Sequence, residues 1–547
     1  MILLAISWWV GTDVSFSIDE PASIAQAQRL ADGQGWQLPD ALPSIDAGRQ
    51  WPYIVRSDTG PEGTVIYGKH PLYPLLLAGA DEVGGQTGMV VVSVLGTVAA
   101  ALVGALLARR LDPRLDRVTL WVIGLGTPLL FDSQIVIAHT LGATCTGAAA
   151  LAVASLLDRW RWRWVVAAVV LVALAVSMRT EAIVFAAVLA GYAVVQALRA
   201  RDWRWAVTGI GLVGAAGLTA LVERVVLGSL IGSVSTVYDV GTDSSSFLQG
   251  RVPAVVNLLV APGESWPDGT RVALIGAMVG AASLGLTLRF RPGWTLVARA
   301  AGGVMVLGAL VPLLGTKSGI VPGLLAAVPA LIVGLLLIDR EVLHPPVAQL
   351  LAGVSAVYTV GVAVSQYNQG GGIEWGARYL ALTVPLLAPL VVWSFACAAR
   401  RLGPEVARPA VGACVVATAL LSVFSITVVA SFHDTTRTFT DSLRHAVAQV
   451  RGPDLGDGDQ RPVVVTDWYV VGRITAGTGP DVRGLTVVAD PKADLPTITR
   501  RLAAAGVDQF VFVGFDPTDV DLLGDEYTVT PADPDGDPRF FIATRRT

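Results

Sequence analysis

The sequence predicts an α-helical polytopic membrane protein that ends in a small α/β domain, and three observations predict it. Hydrophobic residues make up 53% of the 547 residues and charged residues only 15%, against about 25% charged in a soluble domain. Apolar runs long enough to cross a bilayer recur from residue 87 to residue 431. From about residue 432 that pattern gives way to short β-rich runs separated by turn-rich punctuation.

The first apolar segment, MILLAISWWVG, is shorter than the roughly 20 residues a span needs. It also lacks the basic start and small-residue cleavage site of a signal peptide. It reads as a first membrane helix whose cytoplasmic end lies outside this numbering. SIDEPASIAQAQRLADGQGW follows as a short surface helix, with Asp19 at its N-terminus and Pro21 in its first turn. The run YGKHPLYPLLLAGA then places Lys69 and His70 beside two prolines.

Spans are expected near 87–107, 118–136, 139–157, 163–178, 181–198, 205–227, 271–288, 296–314, 319–338, 347–366, 378–398 and 409–431. With the N-terminal stub this makes about 13. The domain division is therefore 1–431, transmembrane with a first outer loop over 13–85, and 432–547, an outer α/β domain. In the tail, VVVTDWYVV, GLTVVAD, FVFVG, YTVTPA and FFIAT read as strands. TFTDSLRHAVAQV and LPTITRRLAAAG read as amphipathic helices.

Orientation follows from arginine. Arg109, Arg110, Arg114 and Arg117 share one short connection; Arg159, Arg161 and Arg163 share another; Arg199, Arg201 and Arg204 a third. Arg289, Arg291, Arg340, Arg400, Arg401 and Arg408 continue the alternation with arginine-poor loops. The positive-inside rule makes these loops cytoplasmic, so the plasma membrane protein presents 13–85, the intervening corners and the C-terminal domain outside. The Trp and Arg residues of DRWRWRW and RDWRWA fit a cytoplasmic interface belt. A net charge of −4 gives no reason to expect nucleic acid as a partner. Cys145, Cys397 and Cys414 all fall in apolar segments and suggest neither a disulfide framework nor a metal site.

The chemistry-bearing residues collect on the outer side. Asp19 and Glu20 come first, and on their own they suit a solvated helix start. Lys69 and His70 lie on the same side, as do Asp132 and His139 at one corner and Arg179 and Glu181 at another. Lys317 sits in LGTKSG, and Glu374, Arg378 and Tyr379 lie where a triple-glycine loop meets a helix. Ionisable groups at span ends are costly unless they meet water, partners or a ligand. For any one of them an interfacial anchor or private ion pair is the commoner explanation, but together they suit chemistry on a lipid-borne substrate. Moving a sugar from a lipid phosphate to a hydroxyl needs a base for the acceptor proton. The departing phosphate needs cations rather than a strong acid. Two carboxylates flanking a glycosidic bond, as in most hydrolases, would not be adjacent in sequence.

Four motifs in this order resemble the GT-C superfamily of polytopic glycosyltransferases, which use polyprenyl-phosphate sugars as donors. The nearest likeness is to the branch of the protein O-mannosyltransferases and lipid A aminoarabinose transferases. Asp19-Glu20 with AQAQRLADGQG is similar to that branch's DE…A..L..G helix, and Lys69-His70-Pro71-Leu72-Tyr73 resembles its K-P-P-L-Y segment, with His70 in place of the first proline. Arg179-Thr180-Glu181 resembles an R-x-E corner, and Trp375-Gly376-Ala377-Arg378-Tyr379 an outer-loop W-G-x-R-Y segment. The resemblance implies Asp19 as the base that activates the acceptor and Glu20 as its substrate-orienting neighbour. It implies Lys69, Arg179 and Arg378 at the donor phosphate, with His70, Glu181, Glu374 and Tyr379 as further substrate-binding candidates.

The partners expected are a polyprenyl-phosphate sugar, an acceptor that is a glycan, glycolipid or protein, and membrane lipids. No cofactor is indicated; a divalent metal would need more than Asp19 and Glu20 as ligands. A transporter or flippase of lipid-linked saccharides is the alternative, although transporters place charged sites near the bilayer midplane. Glu223-Arg224 is the main charged exception within a span and reads as a local pair. A non-catalytic scaffold would have no use for the clustered acids and bases.

Overall fold

The computed structural model describes residues 1–17, 19–39, 42, 45, 64–66, 70–227, 247–260, 268–291, 293–315, 322–365, 375–453, 455, 460–468, 471, 481–486 and 491–546. Helix α1 (Ile2–Val10) leads through a loop to α2 (Glu20–Ala31), which starts at the acidic pair. Strands β1 (Gln37–Pro39) and β2 (Thr64–Ile66) pair antiparallel in the first loop. Then come α3 (Leu72–Leu111), α4 (Asp116–Gly126), α5 (Pro128–Asp132), α6 (His139–Asp158), α7 (Trp162–Val176), α8 (Glu181–Ala200) and α9 (Trp203–Leu227). The second half of the membrane region holds α10 (Phe247–Leu259), α11 (Asp268–Phe290), α12 (Thr295–Leu314), α13 (Leu324–Ala327), α14 (Pro329–Leu336), α15 (Pro346–Ser365), α16 (Val384–Leu402) and α17 (Pro404–Val447).

Nine helices among the described residues are long and apolar enough to span a bilayer, with Trp162–Val176 as a shorter apolar one. The protein is a multi-pass membrane protein. Of the 13 expected spans, four are not among these nine: two are broken, Trp162–Val176 has 15 residues and the N-terminal Ile2–Val10 has 9. The 118–136 run splits at Thr127, whose hydroxyl accepts the Leu129 N–H to cap a new helix opening on Pro128. The 319–338 run splits at Val328, before Pro329. In the other direction, α3 begins at Leu72, well before the 87–107 run, and kinks at Gly84 and Gly85.

The helix ends sort into two sets. At one end Arg110 pairs with Asp158, Arg401 with Asp339 at 2.6 Å, and Arg289 donates to the Leu336 and Ile338 carbonyls. These arginines belong to the connections singled out by their charge. The acidic pair, His70, and the 132–139 and 178–181 corners lie at the opposite ends of the same helices. At about 1.5 Å per residue, the 20-residue α6 alone separates the two sets by about 30 Å.

Beyond the membrane, the five expected strands form one sheet in the order β4-β3-β5-β7-β6. Strands β3 (Val463–Thr466), β4 (Arg483–Thr486) and β5 (Gln509–Val513) run parallel, while β6 (Tyr527–Pro531) and β7 (Phe540–Arg545) join antiparallel. Alternate residues face opposite layers. Val463, Val465, Phe510 and Phe512 pack under α18 (Pro491–Ala504) through Leu495, Ile498 and Leu502. Val464, Val511 and Val513 pack on Phe439, Leu443 and Ala446 of α17. The segment TFTDSLRHAV is thus the end of a single 44-residue helix rather than a separate one, and residue 432 falls inside it. Leu42 and Ile45 of the first loop are also buried in this domain, where Arg501 donates to the Ile45 carbonyl at 2.9 Å.

Candidate active site

The loop between α1 and α2 brings the acidic pair to the end of the bundle opposite the arginine-rich connections and fixes it there. Phe16 packs its ring on Phe131 and on Phe432, with centroids 4.9 and 4.6 Å away. Arg437 grips Asp13 with two hydrogen bonds, of 2.8 and 2.6 Å. Gly11, at φ +87°, lies so close to the Arg437 guanidinium that a Cβ would collide with it.

Glu20 is 1% exposed. One carboxylate oxygen accepts the N–H groups of Phe16 and Ser17, at 2.7 and 2.6 Å, and the other accepts that of Val136 at 2.7 Å. Its charge therefore bolts the acidic loop to the corner between α5 and α6. That corner buries Asp132 and His139, whose Oδ2 and Nδ1 are 3.5 Å apart.

Asp19 faces elsewhere. Its Oδ2 accepts from Arg378 Nη1 at 2.5 Å, bridging residues 359 apart in sequence. Arg378 is aimed by the segment before it. Trp375 is buried between Phe131 and Phe424, and Gly376 at φ +78° sits against the Pro128 ring. The Gly376 N–H is held by the Pro322 carbonyl at 2.9 Å, and Ala377 takes the left-handed region at φ 61°. A non-glycine residue there is uncommon and costs energy that the surrounding contacts must offset. The chain then turns through a 3₁₀ helix over Arg378–Thr383.

Tyr379 carries the site inward. The Arg378 guanidinium lies over its ring at 5.1 Å and donates to its hydroxyl at 3.3 Å, while its carbonyl accepts from Tyr358 at 2.7 Å. Tyr379 is also within electrostatic reach of Arg179 and Glu181. Those two form a bidentate pair, Nε to Oε2 at 3.0 Å and Nη2 to Oε1 at 2.6 Å. The Arg179 stem and Leu382 both pack close over Gly142 of α6. Next in line, Thr180 hydrogen-bonds His70 Nε2 at 2.9 Å. His70 Nδ1 meets the Glu223 carboxylate at 3.0 and 3.2 Å.

Asp19, His70, Arg179, Glu181, Arg378 and Tyr379 thus belong to one connected set. The side chains of Asp19, Arg378, Arg179 and His70 keep 13–18% exposure, whereas Glu181 and Glu223 are buried. Lys69, Lys317 and Glu374 lie outside the described residues. Glu223 is the residue whose partner sequence reasoning missed, since its carboxylate meets His70 of another element; the side chain of the adjacent Arg224 lies outside the described residues. The signal was present, because a lone carboxylate in an apolar span needs a partner. Among the described residues no three His, Cys, Asp or Glu side chains gather as metal ligands. The arrangement offers a partly exposed carboxylate beside a chain of two partly exposed guanidinium groups and an imidazole.

No protein-family profile matches the chain, and no curated protein does. Among the solved structures similar to the chain are those of ArnT from Cupriavidus metallidurans in the apo state and bound to undecaprenyl phosphate. Each is 13% identical, covering 99% of this chain and 96% of its own, with TM-scores of 0.49 and 0.48.

Proposed function

We propose that the chain is an integral membrane glycosyltransferase that moves a sugar from a polyprenyl-phosphate donor to an acceptor on the outer side of the cell membrane. The observation that supports this most directly is the Asp19–Arg378 contact, which joins a carboxylate near the amino terminus to a guanidinium beside the last pair of spans. In this reading the acceptor hydroxyl oxygen attacks the anomeric carbon, and its proton passes to Asp19. The bond between the anomeric carbon and the phosphate oxygen breaks, leaving its electron pair on the lipid phosphate. Arg378 and Arg179 hold that phosphate as charge gathers on it, His70 assists them, and Lys69 is a further candidate from its place in the sequence. Glu181 fixes the orientation of Arg179 and Tyr379 lines the sugar, with Glu374 a further substrate-binding candidate from its place in the sequence. Glu20 orients the loop that carries Asp19 rather than the substrate itself. The outer placement follows from the arginines at the opposite helix ends.

The test is transfer in proteoliposomes supplied with polyprenyl-phosphate sugars and envelope acceptors. Asp19→Asn should lower turnover about 10²- to 10⁴-fold while leaving polyprenyl-phosphate binding within reach of wild type. Arg378→Ala should weaken that binding as well. Undiminished transfer by Asp19→Asn would remove the base from the scheme. Lipid-linked sugar crossing the bilayer without transfer would point to a flippase instead.

A further inference from the structure

At the arginine-rich ends of α3 and α6, far from the acidic pair, the bundle holds a cavity of about 530 Å³. Its polar lining is Arg109, Arg110, Ser155 and Asp158, and its apolar lining includes Leu151 and Trp164. Arg110 is engaged, pairing with Asp158, donating to Ser155 Oγ at 2.8 Å and reaching the Ala154 carbonyl. Arg109 is exposed, and its side chain has no ion pair or hydrogen bond among the described residues. The two guanidinium groups and one carboxylate leave a net positive charge. The site lies at the last turn of α3, and exposed apolar residues of that helix, Leu102 and Leu106, continue its apolar wall along the span. Leu106, one turn before Arg110, points outward at 48% exposure.

We infer that this cavity binds a phosphate-headed anionic lipid of the adjoining leaflet. Its phosphate would sit on Arg109 and the outer edge of Arg110, and its chain would lie along Leu151 and Trp164. A basic pocket between spans at a membrane surface suits such a headgroup, and a planar guanidinium matches two phosphate oxygens at once. A free phosphate would use the cations but leave the apolar wall unserved. A zwitterionic lipid would use the wall but bring its own cation to the arginines. The inference does not depend on the transferase reading, since the site is at the other end of the bundle.

The experiment is native mass spectrometry of the full chain released from nanodiscs containing equal phosphatidylglycerol and phosphatidylcholine. Wild type should retain phosphatidylglycerol about fivefold over phosphatidylcholine. Arg109→Gln, an exposed change that leaves Arg110 paired, should erase most of that preference. Asp158→Asn, which uncovers Arg110, should strengthen it. Equal retention of the two lipids, an unchanged preference in Arg109→Gln, or loss of the bound lipid to added inorganic phosphate would each overturn the assignment.

Discussion

Asp19 and Glu20 are neighbours in sequence with opposite tasks. One meets a guanidinium at the mouth of the site, and the other is sealed among three main-chain N–H groups. Successive helical residues point roughly 100° apart, so adjacency alone sends them to different surroundings. The pair was legible in the sequence; the division of labour was not, because the Val136 N–H that Glu20 binds is 116 residues away. Glu20→Gln replaces a charged acceptor of several donors with a neutral amide. It should destabilise the fold by about 2–4 kcal/mol, read as a lower Tm in detergent. Transfer per folded molecule should fall much less than in Asp19→Asn. A drop in transfer equal to that of Asp19→Asn with unchanged Tm would put Glu20 in the chemistry instead.

At the scale of elements, periodicity located the long apolar helices and the strands but misjudged their breaks and joins. Thr127-Pro128 and Val328-Pro329 interrupt apolar runs without changing their hydropathy, so composition cannot see them. The segment from Trp375 to Arg378 shows what local chemistry does read. Its glycine sits where φ is positive and where the Pro128 ring leaves no room for a methyl group. Gly376→Ala should push Arg378 off Asp19. We expect transfer to drop at least about tenfold with a modest Tm loss, since the strain is of order 1–3 kcal/mol. Wild-type turnover in this variant would show that the aim of Arg378 is set elsewhere.

Over the whole molecule, the C-terminal sheet is covered on one face by α18 and on the other by the end of α17. The strands were legible because they alternate or run apolar; their order was not, since it depends on pairings between distant segments. The domain also carries a pH-sensitive carboxyl. Burial first, and the neighbouring Asp519 second, hold the Asp467 pKa up at about 7 against the lowering pull of the Phe515 N–H bonded to it at 2.6 Å. A folded-state value above the usual carboxylate range favours the protonated form. The stabilisation it brings is complete in acid and lost as pH rises through about 7. Asp467→Asn keeps the acceptor for Phe515 but no longer titrates. Hydrogen exchange in β3 and β5 of the full chain should speed up between about pH 6 and 8 in wild type and stay flatter in the variant, after correction for intrinsic rates. Parallel pH profiles for the two proteins would refute it.

Helix α17 runs unbroken for 44 residues, about 66 Å at 1.5 Å per residue. It enters at the arginine-rich side, clasps Asp13 through Arg437, and ends as one layer of the C-terminal domain. That domain is therefore mounted on a stiff mast rather than hung from a tether. A load applied to it from the envelope would tilt the mast as one piece and be felt at the loop carrying Asp19 before it reached any other part of the bundle.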